Sequence, residues 1–130
     1  MSGFLLDTHT LIWWMTSSER LPKKAKAAIE AEGAQVFASA VNAYEISLKH
    51  QLGKLDVAAA MLRNYEGDLS NIGIVELPVT TSHALAAGAL DIPHRDPFDR
   101  LLIAQARVEG LTLISNEALF DRCGVKRLWD

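Results

Sequence analysis

The chain opens with an apolar run, Phe4-Leu5-Leu6, that stops at a carboxylate, Asp7, and passes at once into helical spacing at Leu11, Ile12, Trp14 and Met15. A short buried strand therefore delivers an acid to its carboxyl end, and Asp7 or Thr8 caps the helix that follows. In open α/β sheets the carboxyl ends of the strands are where ligands bind.

The same alternation continues down the chain. Pro22 suits the first turn of a helix running to about Glu32, Gly33 ends it, and Gln35 to Ser39 reads as a buried strand. A helix over Ala40 to Leu52 places Val41, Tyr44, Leu48 and Leu52 on one arc, with Glu45 at its border. Gly53 stops it, and a further helix is predicted over Val57 to Leu69. Gly73 to Val79 is a third strand, followed by a short helix from Thr80, Thr81 or Ser82 to Gly88. Asp96 and Pro97 suit the N-cap and first turn of a mostly buried helix ending at Gly110. Leu111 to Ile114 is a fourth strand, Ser115-Asn116-Glu117 opens a short helix to about Arg122, and Val125 to Trp129 is an edge strand. Strands separated by helices call for a mainly parallel sheet of about four to five strands, because parallel neighbours need crossover connections.

At 130 residues and 49% hydrophobic content, residues 1–130 are expected to form one domain. Sixteen acids against 13 bases give a net charge of −3, which excludes a surface that grips nucleic acid by bulk charge; any such contact must be local. The single cysteine, Cys123, allows no internal disulfide and suits a reducing compartment. No stretch approaches the roughly 20 apolar residues of a membrane span, so no membrane partner is expected and the expectation is a cytoplasmic protein. Trp13 and Trp14 cannot point the same way on a helix. Either one ring enters the core while the other serves a second surface, or both are half-buried in one domain. Lys23, Lys24 and Lys26 read as a solvated helix edge, with RNA contact the alternative.

Carboxylates fall just past a strand, or early in the next helix, at four places: Asp7, Glu45, Asp96 with Asp99, and Glu117. Each has an ordinary explanation as a cap or dipole partner, and Glu45 could simply pair with Lys49 one turn on. In a parallel sheet, however, the loops after the strands share one edge, so the acids converge. Converging carboxylates require positive charge, and a hard cation such as Mg²⁺ or Mn²⁺ supplies it through oxygen ligands. Such a site suits phosphodiester hydrolysis by metal-activated water. No two of His9, His50, His83 and His94 have zinc-pair spacing, although His94-Arg95 beside Asp96 could touch a phosphate.

Several motifs together resemble one family. They are Leu6-Asp7-Thr8-His9; Ser39 with Tyr44-Glu45-Ile46 and Lys49 before Gly53-Lys54-Leu55; the run from His94 through Asp96-Pro97-Phe98-Asp99-Arg100 to Gln105-Ala106; and Leu113 to Glu117 with Val125 to Trp129. The chain is similar over nearly its whole length to PIN domains, and more narrowly to the VapC-type toxins of bacterial type II toxin–antitoxin systems. The resemblance implies a three-layer α/β/α sandwich and a Mg²⁺- or Mn²⁺-dependent endoribonuclease. Asp7, Glu45 and Asp99 would be the metal ligands, with Asp96 nearby. Glu117 stands where the family commonly has an aspartate, so the fourth acid either binds through water or only caps its helix. Thr8, Ser39 and Ser115 are implied orienting donors, and Lys49, Lys54, Arg95 and Arg100 are candidate contacts to RNA. A VapB-like antitoxin and a toxin homodimer are the implied partners.

Two rival readings stand beside this one. An aspartyl phosphatase using Asp7 as nucleophile would usually carry a second Asp two residues on, where this chain has His9. A catalytically degenerate PIN domain that only binds RNA or protein would not need three intact acids.

Overall fold

The computed structural model describes residues 3–130. Five short strands, β1 (Phe4–Leu6), β2 (Val36–Ser39), β3 (Val75–Leu77), β4 (Thr112–Ile114) and β5 (Arg127–Leu128), form one sheet in the order β3-β2-β1-β4-β5. Every pairing is parallel. The sheet expected from the alternation is therefore present, with five strands and with the Val125–Trp129 segment at an edge as read from sequence.

Among the described residues, seven α-helices cover the two faces: α1 (Thr8–Met15), α2 (Lys23–Glu30), α3 (Ala40–Gln51), α4 (Ala58–Arg63), α5 (Tyr65–Asn71), α6 (Thr81–Ala89) and α7 (Pro97–Glu109). A 3₁₀ turn over Ala118–Arg122 precedes β5. Alternation along β1 explains the layering. Leu6 joins a core with Leu11, Ile12, Ala25, Ile29, Met61 and Leu69 on one face, whereas Leu5 joins Leu102, Ile103, Ala106, Leu113 and Phe120 on the other. Both faces are filled at the sheet's centre, which is why the central strand β1 reads as an unbroken apolar run, whereas the edge strands β3 and β5 carry Glu76 and Arg127.

Two sequence expectations change. The buried side of α3 is Val41, Asn42 and Ile46, not the arc through Tyr44 and Leu52, which are 56% and 55% exposed. A hydrophobic wheel counts Asn42 as outward, yet its amide is needed inside for hydrogen bonds to Ser39 and Thr8, and Tyr44 instead packs edge-on against Phe98 at 5.1 Å. The single helix expected over Val57–Leu69 is two, broken at Asn64, whose φ of −146° and ψ of 49° are not helical. Trp13 and Trp14 are both half-buried against the first core, which is the second of the two readings.

Candidate metal centre

Asp7 sits at the carboxyl end of the central strand, 6% exposed, and its fixed orientation follows from its neighbours. At the N-cap of α1, Oδ1 accepts the N–H of the adjacent Thr8 at 2.8 Å, and Oδ2 accepts the Ser115 hydroxyl at 2.7 Å. Ser115 follows β4, the strand beside β1, so sheet pairing alone brings the two side chains together. Ser115 Oγ in turn accepts the Glu117 N–H at 3.0 Å.

Glu45 is carried in by α3, which starts directly at the end of β2 with Ser39 as its cap. Oε1 accepts the Thr8 hydroxyl at 2.5 Å. The direction of that bond is fixed by a chain of donors. Ser39 N–H donates to Asn42 Oδ1 at 2.7 Å, which turns Asn42 Nδ2 towards Thr8 Oγ1 at 3.0 Å and leaves Thr8 only its own proton to give to Glu45. Burial pushes the Glu45 carboxyl up from its ordinary value, and the charges of Asp7 and Asp99 push the same way against the Thr8 bond and Lys49. The surface pair with Lys49 does not form among the described residues; Lys49 acts on Glu45 only through its field.

Asp99 arrives on the first turn of α7, whose N-terminus lies at this edge because the helix runs back towards β4. Asp96 caps α7, accepting from Phe98 N–H at 2.9 Å and Asp99 N–H at 3.4 Å, with Pro97 in the first turn as the sequence predicts. Asp99 Oδ2 meets His94 Nε2 at 2.6 Å. Burial raises the Asp99 carboxyl, and Asp96 and Asp7 add repulsion that the His94 bond opposes. Asp7, Glu45, Asp96 and Asp99 thus share one electrostatic neighbourhood.

The remaining candidates sort by what they touch. Glu117 is exposed, and its charge falls on His9 and Arg127 rather than on Glu45 or Asp99. Ser39 Oγ donates to Gln105 Oε1 at 2.6 Å and accepts from Val41 N–H, so it braces α3 against α7 instead of reaching the acids. Arg95 is exposed. Arg100 is not available for RNA: its guanidinium donates to the carbonyls of Leu90 at 2.8 Å, His94 at 2.9 Å and Ala87 at 3.1 Å, tying down the loop before α7.

Sequence reasoning missed three residues that shape the site. Asn42 sits three after the Ser39 cap, a capping-box spacing with Asn in place of the usual Glu or Gln. His94 was seen as a phosphate contact, yet it holds Asp99. His9 stands with Nδ1 3.6 Å from Asp7 Oδ2 while Nε2 accepts the Asn116 N–H at 3.3 Å, so the neutral ring carries its proton on the Asp7 side. Burial, helped by Lys49, lowers His9 below its ordinary value, against the pull of Asp7 and Glu117.

Among the described residues no three His, Cys, Asp or Glu side chains form a ready-made coordination cluster. The donor set nevertheless fits a hard divalent cation. It consists of carboxylate oxygens, two of the acids are raised by burial and by neighbouring carboxylates, and Glu45 Oε2 and Asp99 Oδ1 accept no hydrogen bond among the described residues.

Residues 4–126 match the family model for the PIN domain, and the chain belongs to that family. Over 120 residues it is 26% identical to ribonuclease VapC22 of Mycobacterium tuberculosis, covering 90% of this chain and 88% of that one. In fold it is similar to DNA-bound VapBC from Salmonella typhimurium, with a TM-score of 0.74, 20% identity and 98% of each chain covered. VapBC2 from Rickettsia felis, bound to a promoter DNA fragment, gives a TM-score of 0.72 at 16% identity over all of both chains. FitAcB from Neisseria gonorrhoeae gives 0.66 at 18% identity over 96% of each.

Proposed function

We propose that this PIN domain is a divalent-metal-dependent endoribonuclease and the toxin of a VapBC-type pair, with Asp7, Glu45 and Asp99 as metal ligands and a VapB-like protein as antitoxin. The observation that carries the reading is the convergence of the three carboxylates from the end of β1, α3 and α7, with Asp7 and Asp99 both acting on Glu45 and Asp7 acting on Asp99. The similarity to a protein named as a ribonuclease, and to chains solved in VapBC complexes, supports the same conclusion.

When bound, Mg²⁺ or Mn²⁺ supplies the positive charge these acids lack, polarises a phosphoryl oxygen and makes water more acidic. The chain's own part is orientation. Ser115 and the Thr8 N–H hold the Asp7 carboxylate, the Asn42–Thr8 relay holds Glu45, and His94 holds Asp99. The hydroxyls nearest the acids, Thr8 and Ser115, are buried and donate to carboxylates, so neither is presented to a phosphate as a covalent nucleophile. Glu117 and Asp96 border the site, Glu117 through Ser115 and Asp96 through the α7 cap.

Sequencing of RNA ends after brief expression, against an Asp7→Asn control, tests the reading. New ends at recurring sites that vanish in the control are expected. Identical end profiles from the two proteins would reject it.

A further inference from the structure

A second feature leads away from the acids along α1. His9, next to Asp7, lies 5.1 Å between centroids from Trp13 one turn on, and Trp129 from the chain end stands 5.8 Å from both rings. The three aromatics brace one another. Beyond them Trp13 lines a cleft of about 440 Å³ between the end of α1 and the loop joining α3 to α4, whose walls include Thr16, Arg20, Lys54 and Leu55. That volume lies in the range of small-molecule pockets, roughly 300–1,000 Å³.

The charges suit an anion. Arg20 and Lys54 line the cleft against the single acid Asp56, in a chain whose net charge is −3. Lys49, on α3, acts through its charge on both Glu45 and His9, so positive charge also reaches the carboxylate side of His9. The Arg20 guanidinium stands over the Trp13 ring at 5.8 Å from its centroid. Both Arg20 and Lys54 are exposed, so Arg20 is free to swing and admit a flat group against the indole.

We propose that this cleft is a nucleotide subsite for single-stranded RNA flanking the cleaved phosphate, with a base stacked on Trp13 and phosphates on Arg20 and Lys54. The proposal rests on the ribonuclease reading and gives it a substrate track. An acidic site repels the RNA backbone, so the strand must be held by positive charge beside the metal centre rather than at it. Aromatic faces with interleaved cations do this for single strands, and stacking tolerates any base. Arg100, spent on carbonyls, does not contribute.

The test is the binding of short fluorescein-labelled single-stranded RNA of mixed sequence to the Asp7→Asn protein, followed by anisotropy over a series of salt concentrations. Trp13→Leu in that background should weaken binding by at least about fivefold, the low end of one stacked base. Arg20→Gln with Lys54→Gln should flatten the salt dependence by about 1.4 in log–log slope, as two lost phosphate contacts require. The second variant touches only exposed side chains, so it decides the matter even where Trp13→Leu disturbs the fold. If the Asp7→Asn protein binds RNA and both variants match it in affinity and slope, the subsite is wrong, as it would be were the cleft a dock for a peptide, and the ribonuclease reading stands. If the Asp7→Asn protein binds no RNA even at low salt, both fall together.

Discussion

Thr8 gives its only hydroxyl proton to Glu45 at 2.5 Å, and it does so because Asn42 occupies the acceptor side of the same oxygen. A carboxylate that arrives on one helix is thereby oriented by a residue of the strand-to-helix turn at which Asp7 stands. Thr8 thus helps orient two of the three acids, Asp7 through its N–H and Glu45 through its hydroxyl.

Removing that relay should be visible without any activity assay. Thr8→Val leaves the buried Asn42 amide without its acceptor and should lower stability by about 1–3 kcal/mol in urea denaturation, with Thr8→Ser restoring most of it. Equal stability of the Val and Ser proteins would mean that the hydroxyl does not hold Glu45.

The raised carboxyls set a pH dependence of definite sign. An acid whose folded pKa lies above its unfolded one favours the folded state when protonated, and that contribution is lost as pH rises through the carboxylate range. In chelator, Glu45→Gln should therefore gain stability relative to the parent as pH rises from about 4 to about 7, since glutamine still accepts from Thr8 but never ionises. A melting-temperature difference that is flat over this range, or that shrinks, would contradict a Glu45 carboxyl raised by burial and by the charges of Asp7 and Asp99.

Metal binding should separate the acids. In a calorimetric titration with Mn²⁺, Asp99→Asn should weaken uptake at least tenfold, about 1.4 kcal/mol, whereas Glu117→Gln should change it far less because Glu117 faces His9 and Arg127. A folded parent that takes up no Mn²⁺ would favour a PIN domain that only binds RNA or protein.

Arg95, in the loop before α7, and Arg100, in the first turns of α7, have opposite roles. Arg100→Gln removes charge-assisted bonds to the Leu90, His94 and Ala87 carbonyls and should destabilise the fold by about 2–4 kcal/mol. Arg95→Gln, at an exposed position, should stay within about 0.5 kcal/mol of the parent in the same denaturation curve.

The sequence carried the frame of the molecule because its local signals agree with each other. Asp7 after Phe4-Leu5-Leu6, Asp96-Pro97 before the Leu101–Ala106 run, and Gly33 and Gly110 past helix ends each specify a boundary by chemistry that acts within a few residues. Parallel connectivity then forces the acids to one edge. The orientation of α3 was not legible, since its buried face is chosen by α1 and α7 and includes a polar residue, Asn42, whose partners lie 3 and 34 positions away in the chain. The break at Asn64 escaped for a related reason: Arg63-Asn64-Tyr65 contains neither Gly nor Pro, and only packing shows that the helix turns there. The role of Arg100 depends on carbonyls from Ala87 to His94, which have no side-chain signature at all.

The proposed metal site of Asp7, Glu45 and Asp99 stands or falls with cleavage of single-stranded RNA by the purified protein in Mn²⁺, with chelator and with Asp7→Asn measured alongside. Cleavage that chelator abolishes and that Asp7→Asn lowers by at least about a hundredfold, the scale of losing a ligand rather than its support, is the expected result. Cleavage that persists in chelator, or an Asp7→Asn protein as fast as the parent, would contradict it.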